Sequence, residues 1–232
     1  MSETELYYRR HLPHYQPSDA VYHIVLRLAG SLPSEVIERL RLENEAVQNQ
    51  IWGYKDTQKR VDEWHEYQTS YFEKFDQFID CSSTGPRWLE REDVASIVAE
   101  AIRYRDDKMY DLSAFTIMPN HVHIIASTVG LSIDSPDKST KANLRPCQNK
   151  SDLYPLTNIL SSLKKYTARL ANKVLGRQGM FWQDESYDHV IRDGDELERT
   201  IWYVLHNPVK AKLVTEWQNW KFSYVNKGFF DS

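Results

Sequence analysis

Ile117-Met118-Pro119-Asn120-His121-Val122-His123-Ile124-Ile125-Ala126 is the stretch on which the reading of the whole chain turns. With a period of two, His121 and His123 leave one face of a strand while Val122 and Ile124 leave the other. Neutral imidazole is the commonest metal ligand, so two of them side by side on a rigid strand can hold one divalent ion. Pro119-Asn120 reads as a turn between two apolar strands, which puts the pair at the mouth of a hairpin. Paired histidines in a strand also serve as ordinary packing residues, so the motif needs support from elsewhere in the chain.

Outward from this hairpin, residues 110–117 read as the partner strand, and Val94, Ile97, Val98 and Ala101 give a helix with one apolar face. Residues 21–28 are rich in β-branched and aromatic side chains and read as an earlier strand, stopped by Gly30 and Pro33. A first helix starts near Pro33-Ser34 and runs through Val36, Ile37 and Leu40. Residues 43–82 are polar, but Tyr67, Tyr71, Phe75 and Phe78 share one helical face, a stripe that indicates packing and a helical elaboration. Ser82-Ser83-Thr84-Gly85-Pro86 is a break. On the other side, residues 129–155 are rich in Ser, Asp, Lys and Pro and read as a mobile loop. Ile159, Leu163, Tyr166, Leu170 and Val174 restore a helical stripe, ended by Gly176 and Gly179. Residues 187–192 read as a fourth strand. Asp193-Gly194-Asp195-Glu196 suits the start of a helix carrying Leu197, Ile201, Tyr203, Val204 and Leu205, which ends around Asn207-Pro208. The order β-α-β-β-α-β plus a late helix predicts an α+β, ferredoxin-like core, with a mostly antiparallel sheet and helices on one face. A single domain over residues 1–232 is expected.

At 232 residues the chain can bury one substantial core, and 41% hydrophobic with 27% charged residues is the balance of a soluble globular protein. No apolar run approaches the ~20 residues of a membrane helix, so no membrane partner is expected. The acidic Met1-Ser-Glu-Thr-Glu lacks the basic and apolar regions of a secretory signal. Cys81 and Cys147 form no metal-spaced cluster, which fits free thiols and a cytoplasmic location. A net charge of −4 argues against a general nucleic-acid coat protein. The charge is unevenly spread, however. Residues 153–183 contain no Asp or Glu, and Lys164, Lys165, Arg169, Lys173 and Arg177 all fall there. This segment reads either as a solvated basic helix face or as a surface for phosphates, with Trp182 beside it to stack a base. Trp217, Trp220, Phe222 and Tyr224 either extend that surface or pack the tail onto the sheet. His11, His14 and His23 are scattered and read as packing or surface residues.

Three separated stretches then point the same way: Met118-Pro119-Asn120-His121-Val122-His123, Gly179-Met180-Phe181-Trp182-Gln183 and Tyr203-Val204-Leu205-His206-Asn207-Pro208-Val209-Lys210. In this order and spacing they resemble the single-tyrosine HUH transposases, most closely the REP-associated tyrosine transposases. Arg10-His11-Leu12-Pro13-His14 and residues 27–33 look like that branch too, and residues 43–82 are the part poorly covered. The resemblance implies a metal-dependent enzyme that cleaves and rejoins single-stranded DNA beside a hairpin-forming palindrome, through a covalent 5′-phosphotyrosine. By motif position, Tyr203 would be the nucleophile, His121 and His123 metal ligands and Asn207 the third ligand, with Mg2+ or Mn2+ as the ion. Asn207 stands at i+4 from Tyr203, on the same helical face. The resemblance leaves open a homodimer, with the tyrosine helix serving its own or a neighbouring subunit. Two rival readings rest on the same residues. One is a catalytically silent nucleic-acid-binding module on the same fold; the other is a metal-dependent hydrolase that uses water, with Tyr203 structural.

Overall fold

The structure is a computed structural model and describes residues 7–9, 13–15, 20–80, 85–128 and 155–230. Tyr7–Arg9 (β1) and Pro13–Tyr15 (β2) pair as a short antiparallel ribbon. Val21–Arg27 (β3) is followed by Ser34–Trp52 (α1), Thr57–Asp80 (α2) and Glu92–Arg105 (α3). Asp111–Ile117 (β4) and His121–Ser127 (β5) form the central hairpin, then come Pro155–Val174 (α4), Tyr187–Ile191 (β6), Gly194–Lys210 (α5) and Ser223–Val225 (β7). The five longer-range strands make one antiparallel sheet in the order β6-β3-β5-β4-β7. Without β7, the core strands lie fourth, first, third, second, which is the ferredoxin-like order that the element pattern predicts.

Alternation along the strands produces two apolar faces. Tyr22, Ile24 and Leu26 of β3 and Val122, Ile124 and Ala126 of β5 share one face with Val94, Val98 and Ile102 of α3 and Leu156, Leu160 and Leu163 of α4. A bulge between Leu112 and Ala114 shifts the parity of β4, so that Leu112, Phe115 and Ile117 all join this face. The expected helices on one face are thus α3 and α4. The second face is covered as well. Ala114, Ile125 and Ile191 meet Ile201, Val204 and Leu205 of α5, and Val25 and Tyr187 meet Leu40 of α1 and Tyr71, Phe72, Phe75 and Ile79 of α2. The elaboration read over 43–82 is therefore a helical hairpin, α1–α2, laid on the face that carries His121 and His123. It begins earlier than expected, because the first helix continues unbroken to Trp52.

Two of the three motif stretches meet at the end of β3. Leu28 N–H donates to Asn120 O at 2.9 Å, Ala29 N–H to Phe181 O at 2.9 Å and Gln183 N–H to Arg27 O at 2.8 Å. The Gly179–Gln183 motif is thus a backbone splint for the end of β3. One expectation needs correction, and one open choice is decided. Helix α5 runs through Pro208 to Lys210 instead of ending before it, and Ala211 N–H caps it on Asn207 O. The aromatic tail packs onto the sheet: Trp220 Nε1 donates to Ile117 O at 2.9 Å, Tyr224 stacks on Phe115, and β7 adds a fifth strand. Residues 10–12, Cys81, Cys147 and the 129–154 part of the expected loop lie outside the described residues.

Gly85 joins the hairpin to the core at φ +93°, and a Cβ there would lie 2.4 Å from the Gly30 carbonyl oxygen. Gly85→Ala is therefore expected to destabilise the protein by about 2–3 kcal/mol. Urea denaturation should show a lower midpoint with an unchanged slope.

Candidate metal centre and tyrosine

Strand β5 turns His121 and His123 onto the second face, where neither has exposed surface. Their Nε2 atoms are 2.9 Å apart. Helix α2 lowers Asp76, also fully buried, onto the pair, with Oδ1 3.3 Å from His123 Nε2 and 4.0 Å from His121 Nε2. The centre of that triangle is about 2 Å from all three atoms, which is the length of a divalent metal–nitrogen or metal–oxygen bond. Among the described residues these three form the one His/Cys/Asp/Glu group able to hold an ion.

Electrostatics favour the same reading. Burial, reinforced by the neighbouring imidazole for His121 and by Lys210 for His123, lowers both histidines to about 3. They are therefore neutral and lone-pair-bearing at neutral pH, as a metal ligand must be. Burial pushes the Asp76 carboxyl up against the opposing pull of His121, Tyr203 and Lys210, and its Oδ1 accepts no hydrogen bond from the described residues. A buried carboxylate oxygen without a donor is costly, and a bound cation removes that cost.

The candidate ligands are held from behind. Asn120 Nδ2 can only donate to Ile79 O, at 3.0 Å, so its Oδ1 faces His121 Nδ1 at 2.7 Å. His121 Nδ1 therefore carries the proton and Nε2 the lone pair, as a metal ligand requires. His123 Nδ1 lies 3.0 Å from Nε2 of His23 on β3. His23 is not a scattered packing residue after all.

Tyr203 on α5 is half-buried, and its hydroxyl donates to Asp76 Oδ2. Its ring meets His123 edge-on at 6.2 Å, and Lys210 Nζ sits 3.8 Å over it. One turn on, Asn207 is fully buried, and among the described residues neither of its amide atoms has a hydrogen-bond partner. An orphaned buried amide is what a ligand side chain leaves when its contact is of another kind. The structure thus joins Tyr203, His121 and His123 and adds Asp76 as the third corner; Asn207 stands four residues after Tyr203 on the buried side of the same helix.

The basic residues fare differently. Lys165, Arg169 and Lys173 are exposed on α4, and Lys164 Nζ donates to Asp184 O at 2.7 Å. Arg177 is folded back, with Nη2 donating to Met180 O and its guanidinium 3.8 Å over Trp88. Trp182 is 5% exposed and donates to Thr167 Oγ1 at 2.8 Å, so it is a core residue and not a platform for a base. Tyr166, expected in the apolar stripe, is exposed between Arg105 and Arg169. Helix α4 covers the sheet face opposite to the histidine pair.

Sequence reading missed Asp76, His23 and Lys210. Asp76 had one detectable signal: it stands at i+4 from Phe72 and i−3 from Ile79, a carboxylate on an apolar helical stripe. Arg27 was also missed as a site residue. It lies opposite His121 in the β3–β5 register, is 7% exposed, and leaves Nη1 without a partner among the described residues.

A sheet with paired histidines facing a helix-borne tyrosine is the arrangement that the HUH resemblance implies. No family model matches the chain. A protein of Haemophilus influenzae that carries the provisional name REP-associated tyrosine transposase is 24% identical over 119 residues, 51% of this chain and 60% of its own length. The chain thus spans less than two thirds of that relative. A solved structure of a REP-associated tyrosine transposase bound to a REP hairpin aligns over 96% of this chain and 82% of its own, at 15% identity and a TM-score of 0.44. The chain is similar to the REP-associated tyrosine transposases, at modest identity. Among the described residues, no helix is long and apolar enough to cross a membrane.

If Asp76, His121 and His123 hold an ion, Mn2+ at a hundredfold excess over its Kd should stabilise the protein by about 2.7 kcal/mol. For a chain of this size that is a rise in Tm of roughly 5–10 °C. Asp76→Asn should abolish the Mn2+-dependent rise while leaving the metal-free Tm equal or higher, since it removes an undonated buried carboxylate.

Proposed function

We propose that the chain is a metal-dependent single-stranded DNA endonuclease and strand transferase, acting beside hairpin-forming DNA through a covalent 5′-phosphotyrosine. The observation that carries this reading is the Asp76 carboxylate, which faces the histidine pair with one oxygen and accepts from the Tyr203 hydroxyl with the other. Two imidazoles and a carboxylate suit a divalent ion such as Mn2+ or Mg2+, and Asn207 would add a neutral oxygen. Such an ion, when bound, supplies Lewis-acid neutralisation of the non-bridging oxygens of a phosphodiester.

The chain's own groups account for the rest. Asp76 Oδ2 takes the proton of the Tyr203 hydroxyl, and the ammonium of Lys210 over the ring favours the phenolate that forms. The phenolate oxygen bonds to phosphorus, the bond from phosphorus to the 3′ oxygen breaks, and the departing 3′ oxygen is released as a hydroxyl. The 5′ phosphate stays on Tyr203 with its bond energy conserved, so that a second 3′-OH can reverse the step without ATP. Tyr203 is the half-exposed member of an otherwise buried group, so a strand meets the site from its side. On the same sheet face, lined by none of that group, a cavity of about 450 Å3 bounded by Arg27, Tyr71, Phe75, Gln183, Glu185 and Tyr187 offers donors, acceptors and aromatic edges of the kind a nucleotide needs. A silent binding module gives no reason to bury a carboxylate between two imidazoles and a tyrosine.

Tyr203→Phe should eliminate the covalent protein–DNA adduct on a denaturing gel while hairpin binding stays within a few-fold of wild type. An adduct that persists in Tyr203→Phe assigns the nucleophile elsewhere, and cleavage without any adduct indicates a hydrolase that uses water. Replacing Lys165, Arg169 and Lys173 with Ala tests α4 separately. Removing a side chain that neutralises one phosphate should flatten the log–log salt dependence of single-strand binding by about 0.7, and an unchanged slope would leave α4 as a solvated face.

A further inference from the structure

We infer that His23 is a positioning residue for the candidate metal centre: by accepting a hydrogen bond from His123 Nδ1 it sets His123 in the tautomer that presents Nε2 to an ion. This inference rests on the metal reading of the Asp76–His121–His123 group. It concerns a side chain that the motif resemblance does not touch, contributed by a different strand.

Protons can be followed from one hydrogen-bonded partner to the next. Asn120 Nδ2 donates to the Ile79 carbonyl, so Asn120 Oδ1 must accept from His121 Nδ1, and His121 Nε2 bears a lone pair. His121 Nε2 and His123 Nε2 stand at hydrogen-bond distance, 2.9 Å, so the hydrogen that joins them in this geometry belongs to His123. His123 Nδ1 is then a lone pair, and His23 Nε2, at 3.0 Å, is its donor. With an ion, His123 Nε2 must give up its hydrogen, and the neutral ring then carries a proton on Nδ1. Nδ1 needs an acceptor in a site without exposed surface, and the atom within reach is His23 Nε2. His23 can accept only by moving its own proton to Nδ1. A histidine can be donor in one state and acceptor in the other; leucine can be neither.

The position of His23 suits this task. It is 2% exposed, its ring is fixed edge-on against Phe72 of α2 at 4.5 Å, and it meets the Tyr203 ring at 6.4 Å. The packing that locks its orientation therefore comes from the same helix that delivers Asp76. Outer partners of this type typically alter metal affinity 10- to 100-fold when removed.

The test is calorimetric titration of the full chain with MnCl2, comparing wild type, His23→Leu and His23→Gln, with thermal melts to confirm folding. Gln can present either an oxygen or an amide hydrogen near the Nε2 position, so it can serve both states. His23→Leu is expected to bind Mn2+ 10- to 100-fold more weakly, and His23→Gln to recover most of that loss. In addition, 15N spectra of the histidine rings, recorded with diamagnetic Zn2+, should show the proton of His123 passing from Nε2 to Nδ1 and that of His23 from Nε2 to Nδ1 on metal addition. A His23→Leu protein that folds and binds Mn2+ as tightly as wild type overturns the inference while leaving the metal centre standing. A wild-type protein that binds no divalent ion overturns both.

Discussion

A carboxylate buried against two neutral imidazoles is the arrangement on which the rest of this structure depends. Asp76 reaches its position only because α2 lies flat on the sheet, held by Phe72, Phe75 and Ile79 against Val25 and Tyr187. It stays there although Oδ1 accepts no hydrogen bond from the described residues and burial alone disfavours its charge. Isolated carboxylates in apolar surroundings are expensive, and proteins keep them where they are paired, ion-bound or in use. The triangle of Asp76 Oδ1, His121 Nε2 and His123 Nε2 is compact enough for one ion to satisfy all three atoms. The same carboxylate orients the hydroxyl of Tyr203 through its other oxygen. Ion and nucleophile would thus share one side chain.

The ferredoxin-like core and its insertion divide the work. The core supplies histidines from adjacent strands and the tyrosine from α5, and its backbone bonds between residues 27–29, 120 and 181–183 hold the end of the sheet where they gather. The α1–α2 hairpin supplies Asp76 and covers this face of the sheet. Asn120 ties the two parts together, because one amide orients His121 and grips the last turn of α2 at Ile79.

Much of the core was legible in the sequence because it rests on short-range pattern. Alternation through 121–127, the turn at Pro119-Asn120 and the apolar stripes of α3 and α4 are local features, and they predict the strand order once the ferredoxin-like arrangement is assumed. The histidine pair and Tyr203 were legible as motif. What failed was anything set by the third dimension. Asp76 is one acidic residue among many in a polar helix, and only its place on an apolar stripe marks it. His23 becomes significant because β3 is registered against β5 so as to bring its ring to His123, and no local pattern encodes register between strands about 100 residues apart. Trp182 was misread because an aromatic next to a basic helix suggests a base platform, whereas its indole N–H found a buried threonine on that helix. Likewise Pro208 suggested a helix end, but a proline in the last turn removes only one hydrogen bond, and α5 continues past it to Lys210.

Whether α2 completes a metal site with Asp76 beside Tyr203 is tested most directly by anomalous diffraction from crystals grown with Mn2+. The expected result is one buried anomalous peak about 2 Å from Asp76 Oδ1, His121 Nε2 and His123 Nε2, with the Tyr203 hydroxyl still on Asp76 Oδ2. A peak held by the histidines with Asp76 turned away from it, or no peak at the histidine pair, would contradict that role for α2.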